Sequence, residues 1–162
     1  MRQIRSYQTG DAPALAEIFH RAVREGASGV YSEAERAAWS PTMPRGDAWE
    51  RRLACAETAV AEEGGRPVGF MTLDLQQGYL DLAFVLPEVM GQGVASSLYA
   101  VIESRARAAG LGRLTTEASL LAEPVFAARG WRVLRRQTVV RSGIEIANAI
   151  MEKELSTKEV AA

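Results

Sequence analysis

The stretch FVLPEVMGQGVASSLYAVIE, residues 84–103, contains the change from strand to helix that decides the fold. Its apolar start is typical of a buried strand, and Pro87 ends that strand because proline has no backbone N–H to continue a ladder. The residues after the two glycines have the spacing of a helix, which we expect to begin around Gly91. A helix N-terminus has backbone N–H groups without intrahelical partners and a positive partial charge. We therefore expect this turn to bind an anion, above all a phosphate.

Small side chains make room for such a ligand. Gly91 and Gly93 have no Cβ and Ala95 has only a methyl group, so a diphosphate can approach the backbone, while Ser96 offers a hydroxyl donor. Taken alone, the glycines favour a tight turn that binds nothing. A dinucleotide-binding loop requires a third glycine where Ser96 stands, and a P-loop requires a Gly-Lys-Ser/Thr sequence that this chain lacks.

Composition limits the class of protein. With 162 residues, 48% hydrophobic residues and a net charge of −1, the chain fits one soluble domain over residues 1–155, followed by a flexible tail at 156–162. Lysine and arginine are scattered, so we expect no nucleic-acid partner. The single cysteine excludes an intrachain disulfide and a cysteine-based zinc site, and we expect no metal. Without a long apolar span or a cleavable leader, we expect a cytoplasmic protein with no membrane partner.

The rest of the pattern predicts an α/β fold, with a mixed sheet and helices on its faces. A first strand precedes a helix that Asp11 is expected to cap, and Ser32 is expected to cap a second helix. Gly64 and Gly65 mark a hairpin between two strands, and a further strand leads into residues 84–103. One more strand, a short helix and two closing strands complete the order.

Two blocks of this sequence resemble the GCN5-related N-acetyltransferase (GNAT) superfamily. The stretch VLPEVMGQGVASSLY is similar to its acetyl-CoA-binding motif, a strand ending in V-x-P followed by [Q/R]-x-x-G-x-[G/A] and a helix. The stretch SLLAEPVFAARGW is similar to its N-x-x-A-x-x-F-Y-x-x-x-G-F signature. The element order agrees from end to end, so the resemblance covers essentially the whole chain. The matching positions are Val85, Pro87, Gly91, Gly93, Val94, Ala95 and Leu98 in the first block, and Ser119, Ala122, Val125, Phe126, Gly130 and Trp131 in the second.

The resemblance implies an N-acetyltransferase that uses acetyl-CoA as co-substrate. It implies a mostly antiparallel central sheet of about seven strands, splayed in the middle, with helices on both faces. Strands 79–86 and 113–118 would open a V-shaped cleft for the pantetheine arm of acetyl-CoA. The residues that it implies for cofactor binding are Phe84, Val85, Met90, Gly91, Gln92, Gly93, Val94, Ala95, Ser96, Ser119 and Phe126.

Three positions depart from the family pattern. Met90 replaces the usual Gln or Arg, and Ser119 replaces Asn. Phe126 stands where many members have a tyrosine that protonates the departing CoA thiolate. A thiol has a pKa near ~8.5, so its thiolate can leave at neutral pH with little assistance. Another tyrosine or water would otherwise serve as the acid; the candidate tyrosines are Tyr31, Tyr79 and Tyr99.

Acetyl transfer to an amine also needs a base, because an alkylammonium with a pKa near ~10.4 must first lose a proton. Asp81 is our first candidate, since strand alternation predicts that it shares a face with Ala83 and Val85 near the cleft. A solvated residue at the open end of the sheet is an equally good interpretation of Asp81. Glu117, on the facing strand, is the second candidate.

The acceptor should bind between the first two helices, where the family varies. Tyr31 and Trp39 are the candidate substrate-binding residues, and nearby acidic residues suit a cationic amine. The sequence leaves open an amino sugar, a polyamine, an amino acid, and a protein lysine or N-terminus. It also leaves open a noncatalytic acyl-CoA-binding sensor, which Phe126 favours, and more distantly a phosphate-binding protein of unrelated fold. The resemblance makes a homodimer through the closing strands plausible.

Overall fold

A computed structural model describes residues 1–155, and the tail predicted at 156–162 lies outside the described residues. One seven-stranded sheet has the order β1-β2-β3-β4-β5-β7-β6. All neighbouring strands are antiparallel except β4 and β5, which are parallel. This confirms the mixed, mostly antiparallel sheet. The strands are β1 Arg2–Ser6, β2 Glu57–Glu63, β3 Arg66–Asp74, β4 Tyr79–Val85, β5 Arg113–Ser119, β6 Arg132–Arg141 and β7 Ile144–Glu154.

Helices cover both faces of the sheet, as two neighbouring residues of β3 demonstrate. The ring of Phe70 packs edge-on against Trp49, whereas a Cβ at Gly69 would meet side chains of the long helix after β4. Adjacent strand residues point to opposite faces, so these two helices lie on opposite sides. No helix among residues 1–155 is long and apolar enough to cross a membrane. The helices are α1 Ala12–Arg21, α2 Glu33–Trp39, α3 Asp47–Ala54, α4 Val94–Ala108 and α5 Glu123–Ala127, and a π-helical turn, Ala22–Gly26, extends α1.

The two predicted helix caps have different outcomes. Ser32 caps α2 in a capping box, accepting a hydrogen bond from the Glu35 N–H while the Glu35 carboxylate accepts one from the Ser32 N–H. Asp11 occupies the N-cap position of α1 but makes no capping bond. Its carboxylate instead accepts hydrogen bonds from the Arg5 guanidinium and the Gln8 N–H. The ion pair with Arg5 on β1 therefore takes the place of the capping bond that Asp11 was expected to make.

The helix expected to begin around Gly91 begins later, at Val94. A single 3₁₀ turn, Pro87–Val89, follows β4, and the glycines at 91 and 93 then have φ values of 80° and 84°. A right-handed helix cannot include residues in the left-handed region, so α4 starts only after Gly93. The two glycines form the approach to the helix rather than its first turn.

The sheet is splayed between β4 and β5. Only Tyr79 with Thr115 and Leu80 with Thr116 are paired in register, and the Thr116 hydroxyl donates to the Leu80 carbonyl at 2.7 Å. Beyond these pairs β5 continues along β7 as far as Ser119, while β4 continues along β3. The strands therefore diverge toward the end of β4, as predicted.

A polar cluster fastens α4 to the end of the sheet. The Tyr99 hydroxyl donates to Glu103 at 2.6 Å and accepts from the Trp131 indole N–H at 2.9 Å. The Lys153 ammonium donates to the same carboxylate at 2.9 Å. Burial alone would raise the pKa of Glu103, but the hydrogen bonds outweigh it and lower the pKa to about 2. Burial and the neighbouring carboxylate raise the pKa of Tyr99 far above its ordinary value.

Candidate active site

A cavity of about 360 Å³, here called the helix cavity, lies where β4 ends and α4 begins. All of the residues predicted to bind the cofactor line it except Gln92. Gln92 is exposed, and its side-chain amide donates to the Glu88 carbonyl at 3.1 Å. The predicted residues in the cavity wall are Phe84, Val85, Met90, Gly91, Gly93, Val94, Ala95, Ser96, Ser119 and Phe126.

The α4 end of the helix cavity suits an anion. The first intrahelical bond runs from the Ser97 N–H to the Gly93 carbonyl, so the N–H groups of the three preceding residues, 94–96, have no partner within the helix. A Cβ at Gly91 would meet nothing within 4 Å, which leaves room against the backbone. Three free donors at the positive end of a 15-residue helix fit a diphosphate.

Arg2 adds a positive charge to this turn that the sequence analysis missed. Its guanidinium donates to the Gln92 carbonyl at 3.0 Å and also pairs with Glu63. Arg2 comes from β1, far away in the chain, so no local motif could have identified it.

A second cavity of about 350 Å³, here called the sheet cavity, lies beside the diverging ends of β4 and β5. It contains both predicted catalytic residues, Asp81 and Glu117, and both predicted substrate residues, Tyr31 and Trp39. The two cavities adjoin each other and share wall residues at the gap in the sheet. The shared residues are Trp39, Ala83, Phe84, Ser119, Ala122 and Phe126.

Asp81 does not have the environment that alternation predicted. Leu80 pairs with Leu73 and Leu82 pairs with Thr72, so Asp81 is the extra residue of a β-bulge. The expectation that it shares a face with Ala83 and Val85 is therefore wrong, because a bulge interrupts alternation. The carboxylate instead accepts two hydrogen bonds from the Arg52 guanidinium of α3, at 2.8 and 2.9 Å. This pair raises the pKa of Arg52.

Glu117 has a freer carboxylate. It is exposed on β5, and within residues 1–155 its side chain has no hydrogen bond or ion pair. Tyr79 lines the same cavity. Burial raises the pKa of Tyr79, and the negative charges of Glu117 and Asp81 raise it further. Tyr79 is consequently a protonated phenol at neutral pH.

Tyr31 forms part of the wall rather than a free acid. It is buried, its hydroxyl donates to the Ala147 carbonyl at 2.6 Å and accepts from the Leu120 N–H at 2.9 Å. Burial raises the pKa of Tyr31. Its ring meets Trp39 edge-on with centroids 5.5 Å apart, so the two aromatic side chains hold α2 against β7.

Phe126 is buried where the two cavities meet. Its ring lies 4.9 Å from that of Trp131 and 6.2 Å from that of Tyr99. Tyr99 lines neither cavity, and its hydroxyl is already occupied by the polar cluster. Of the three tyrosines considered as acids, Tyr79 has the arrangement that best suits that role.

The sheet cavity also contains two polar residues that the sequence analysis did not single out. Asn148 on β7 lies opposite Ser119, and its Oδ1 atom is buried without a hydrogen-bond partner among the described residues. Arg141, at the end of β6, is exposed at the rim and has no hydrogen bond or ion pair within residues 1–155. Neither residue belongs to a local motif, and only strand pairing brings them to the cavity.

Comparisons with known proteins agree with this architecture. The model of the acetyltransferase (GNAT) domain matches residues 27–155. The uncharacterized N-acetyltransferase YafP of Escherichia coli K12 is 36% identical over 150 residues, which are 92% of this chain and 93% of that protein. A GCN5-related N-acetyltransferase from Rhodopseudomonas palustris superposes with a TM-score of 0.89 at 32% identity over 96% of each chain. The PaiA N-acetyltransferase of Thermoplasma acidophilum, solved with coenzyme A, shares the fold with a TM-score of 0.71 at 18% identity, covering 96% of this chain and 99% of that one.

Proposed function

Because this chain belongs to the acetyltransferase (GNAT) family, we propose that it transfers the acetyl group of acetyl-CoA to a primary amine of a small molecule or peptide. The observation that supports this reaction is the pair of adjoining cavities at the gap in the sheet. One end has unpaired helix N–H groups that suit a diphosphate, and the other end holds carboxylates that suit an amine. The Thermoplasma relative, which binds coenzyme A, has the same fold.

The helix cavity is the proposed acetyl-CoA site. The N–H groups of residues 94–96 bind the diphosphate, and Arg2 adds positive charge beside the turn. The backbone of Phe84 and Val85 faces the gap, where it can pair with the amides of the pantetheine arm as a neighbouring strand would. Acetyl-CoA supplies a thioester carbonyl at the junction of the two cavities.

Glu117 is the proposed base. It takes a proton from the acceptor ammonium, directly or through water, so that the amine nitrogen can bond to the acetyl carbon while the carbon–sulfur bond breaks. We prefer Glu117 to Asp81 because two hydrogen bonds from Arg52 occupy the Asp81 carboxylate. The hydrogen bonds to Arg52 use the same oxygen lone pairs that a base would need for the proton.

The thiolate leaves without the tyrosine of the family pattern. Phe126 has no proton to donate, but a thiol pKa near ~8.5 allows the thiolate to depart at neutral pH. Tyr79, whose pKa is raised, or water protonates it afterwards.

A noncatalytic acyl-CoA sensor is the second candidate, and Phe126 is the observation that favours it. Calorimetry with acetyl-CoA and thiol release with a panel of amines separate the two candidates. Gly93→Asp puts a carboxylate at the proposed diphosphate site and should abolish binding. Gly110→Asp is the matched control, because Gly110 is exposed at the other end of α4 and has a φ of 83°, almost that of Gly93.

The outcomes differ clearly. Micromolar binding to the wild type and the control, lost in Gly93→Asp, supports the site, and thiol release with an amine supports the enzyme. Binding without thiol release for any amine favours the sensor. No binding to the wild type contradicts both.

A further inference from the structure

Two polar side chains of the sheet cavity have groups that are available to bind a ligand. The Oδ1 atom of Asn148 is buried and accepts no hydrogen bond, and the guanidinium of Arg141 has no carboxylate partner within residues 1–155. Every other buried side-chain oxygen and nitrogen of the described residues has a partner. A buried acceptor without a donor is unfavourable, so this position favours a ligand N–H group in place of the donor that residues 1–155 do not supply.

Strand pairing places both residues on one face. Asn148 is opposite Ser119 of β5 on one side and Gln137 of β6 on the other. Arg141 is opposite Ile144, four residues along β7 from Asn148. Directly paired residues, and residues two apart on a strand, share a face. Asn148 and Arg141 therefore lie on the face that bears Glu117 and Ser119.

The charges of the cavity are divided between its two ends. Asp81 and Arg52 neutralise each other at short distance. The remaining charges are the carboxylate of Glu117, beside the gap, and the guanidinium of Arg141, at the rim. A ligand that is positive at the gap and negative at the rim complements both.

We propose, on the basis of the proposed function above, that the acceptor is a small amine carrying a carboxylate. Asn148 Oδ1 accepts a hydrogen bond from its amino group, and Arg141 binds its carboxylate. Arginine presents two parallel N–H donors that match the two carboxylate oxygens, which gives a strong and directional contact.

The size of the site sets the length of the substrate. At about 3.3 Å per residue and about 4.8 Å between strands, the Cα atoms of Ser119 and Arg141 lie roughly 16 Å apart. An Arg141 side chain that leans toward Asn148 would cover part of that distance. An amine and a carboxylate separated by one to a few carbon atoms would span the remainder.

The test uses phenylalanine and a series of unbranched amino acids from glycine to 5-aminopentanoate. The control for each amino acid is the amine of the same structure without the carboxylate. The dication 1,4-diaminobutane is tested as well. Acceptor binding is measured by calorimetry with protein saturated with CoA, which cannot donate an acetyl group. Turnover is measured by thiol release from acetyl-CoA. The variants are Arg141→Gln, Arg141→Lys, Asn148→Leu and the control Arg135→Gln, which removes an exposed arginine from the same strand outside the cavity.

We expect at least one amino acid to exceed its matched amine about 30-fold in kcat/KM, as the loss of one charged hydrogen-bonded contact implies. Arg141→Gln should erase that preference by raising KM, Arg141→Lys should restore part of it, and Arg135→Gln should leave it intact. Asn148→Leu should lower kcat/KM about 10-fold for both classes without changing the Kd of acetyl-CoA.

The two proposals fail in different ways. Turnover that prefers plain amines or the diamine, or an equal loss for both classes in Arg141→Gln, overturns the carboxylate proposal and upholds the acetyltransferase reaction. Amino acids that bind the CoA complex through Arg141 without thiol release overturn the reaction and uphold the binding site. If acetyl-CoA binds but no panel member binds or reacts, the carboxylate proposal alone is overturned, whereas a wild type that does not bind acetyl-CoA overturns both.

Discussion

Replacing Tyr99 by phenylalanine should destabilise the protein and leave catalysis intact. The hydroxyl of Tyr99 donates to Glu103 and accepts from the indole of Trp131. Phenylalanine fills the same space, so the change removes two hydrogen bonds without leaving a large cavity. The Trp131 N–H then has no partner in a buried position, because that side chain is only 4% exposed.

The expected loss follows from these two contacts. A buried donor left without a partner costs about 1–3 kcal/mol, and a hydrogen bond to a charged group contributes about 1.5–3 kcal/mol. Lys153 still neutralises Glu103, so the combined loss should be about 3 kcal/mol. In a domain of this size each kcal/mol shifts Tm by about 2–4 °C, so Tm should fall by roughly 6–12 °C.

Urea unfolding at neutral pH, followed by tryptophan fluorescence and by circular dichroism, measures this loss. Tyr7→Phe is the matched control, because Tyr7 is half-buried against the same core and its hydroxyl makes no hydrogen bond among the described residues. The control should change stability by less than about 0.5 kcal/mol. In Tyr99→Phe, kcat at 25 °C should stay close to that of the wild type, since Tyr99 lines neither cavity.

Two results would refute this reasoning. A stability loss equal to that of Tyr7→Phe would mean that the hydroxyl contacts contribute nothing. A loss of kcat of about 100-fold with unchanged acetyl-CoA affinity would identify Tyr99 as a general acid.

Three further predictions concern charge. Glu117→Gln should lower kcat about 100-fold, whereas Asp81→Asn should lower it less than 10-fold because Arg52 already bonds to Asp81; the reverse order in steady-state kinetics contradicts the assignment of the base. The pKa of Glu103 is lowered to about 2, so its stabilising contribution is complete above its ordinary pKa and disappears as pH falls toward that value. In urea unfolding, the wild type should therefore be more stable than Glu103→Gln at neutral pH, and this difference in the free energy of unfolding should disappear between about pH 4.5 and 2. A difference that stays constant over this range would contradict the lowered pKa. Burial, followed by the charge of Arg24, lowers the pKa of His20, so protonation favours the unfolded state; the wild type should lose stability relative to His20→Gln as pH falls from about 7 to 5, and parallel curves would count against the shift.

Local patterns were sufficient for most of the fold. The hairpin at Gly64 and Gly65, the helix cap at Ser32 and the strand at residues 113–118 each depend on neighbours within a few positions, and all of them are confirmed. The glycine turn before α4 was found for the same reason. The helix begins three residues later than predicted, because the spacing of apolar residues does not reveal that Gly91 and Gly93 have positive φ values.

The candidate site was predictable only where its residues are close together in the sequence. The wall of the helix cavity comes mainly from one continuous stretch, so its residues were identified together. Asp81 was misplaced because a bulge depends on the pairing of β3 with β4, which alternation within one strand does not reveal. Arg52, Arg141 and Asn148 come from separate elements, and only the assembled sheet brings them to one cavity.

Because of the gap between β4 and β5, the stability of the folded protein should depend on the concentration of a ligand that binds there. The sheet consists of two blocks, β1–β4 and β5–β7, which are joined by only two residue pairs at the closed end of the gap. A ligand that forms hydrogen bonds to both β4 and β5 takes the place of a strand between them and links the two blocks of the sheet. A ligand at 100 times its Kd adds about 2.7 kcal/mol to the stability of the native state. The supply of acetyl-CoA would then govern how long the folded chain survives proteolysis, as well as how fast it works.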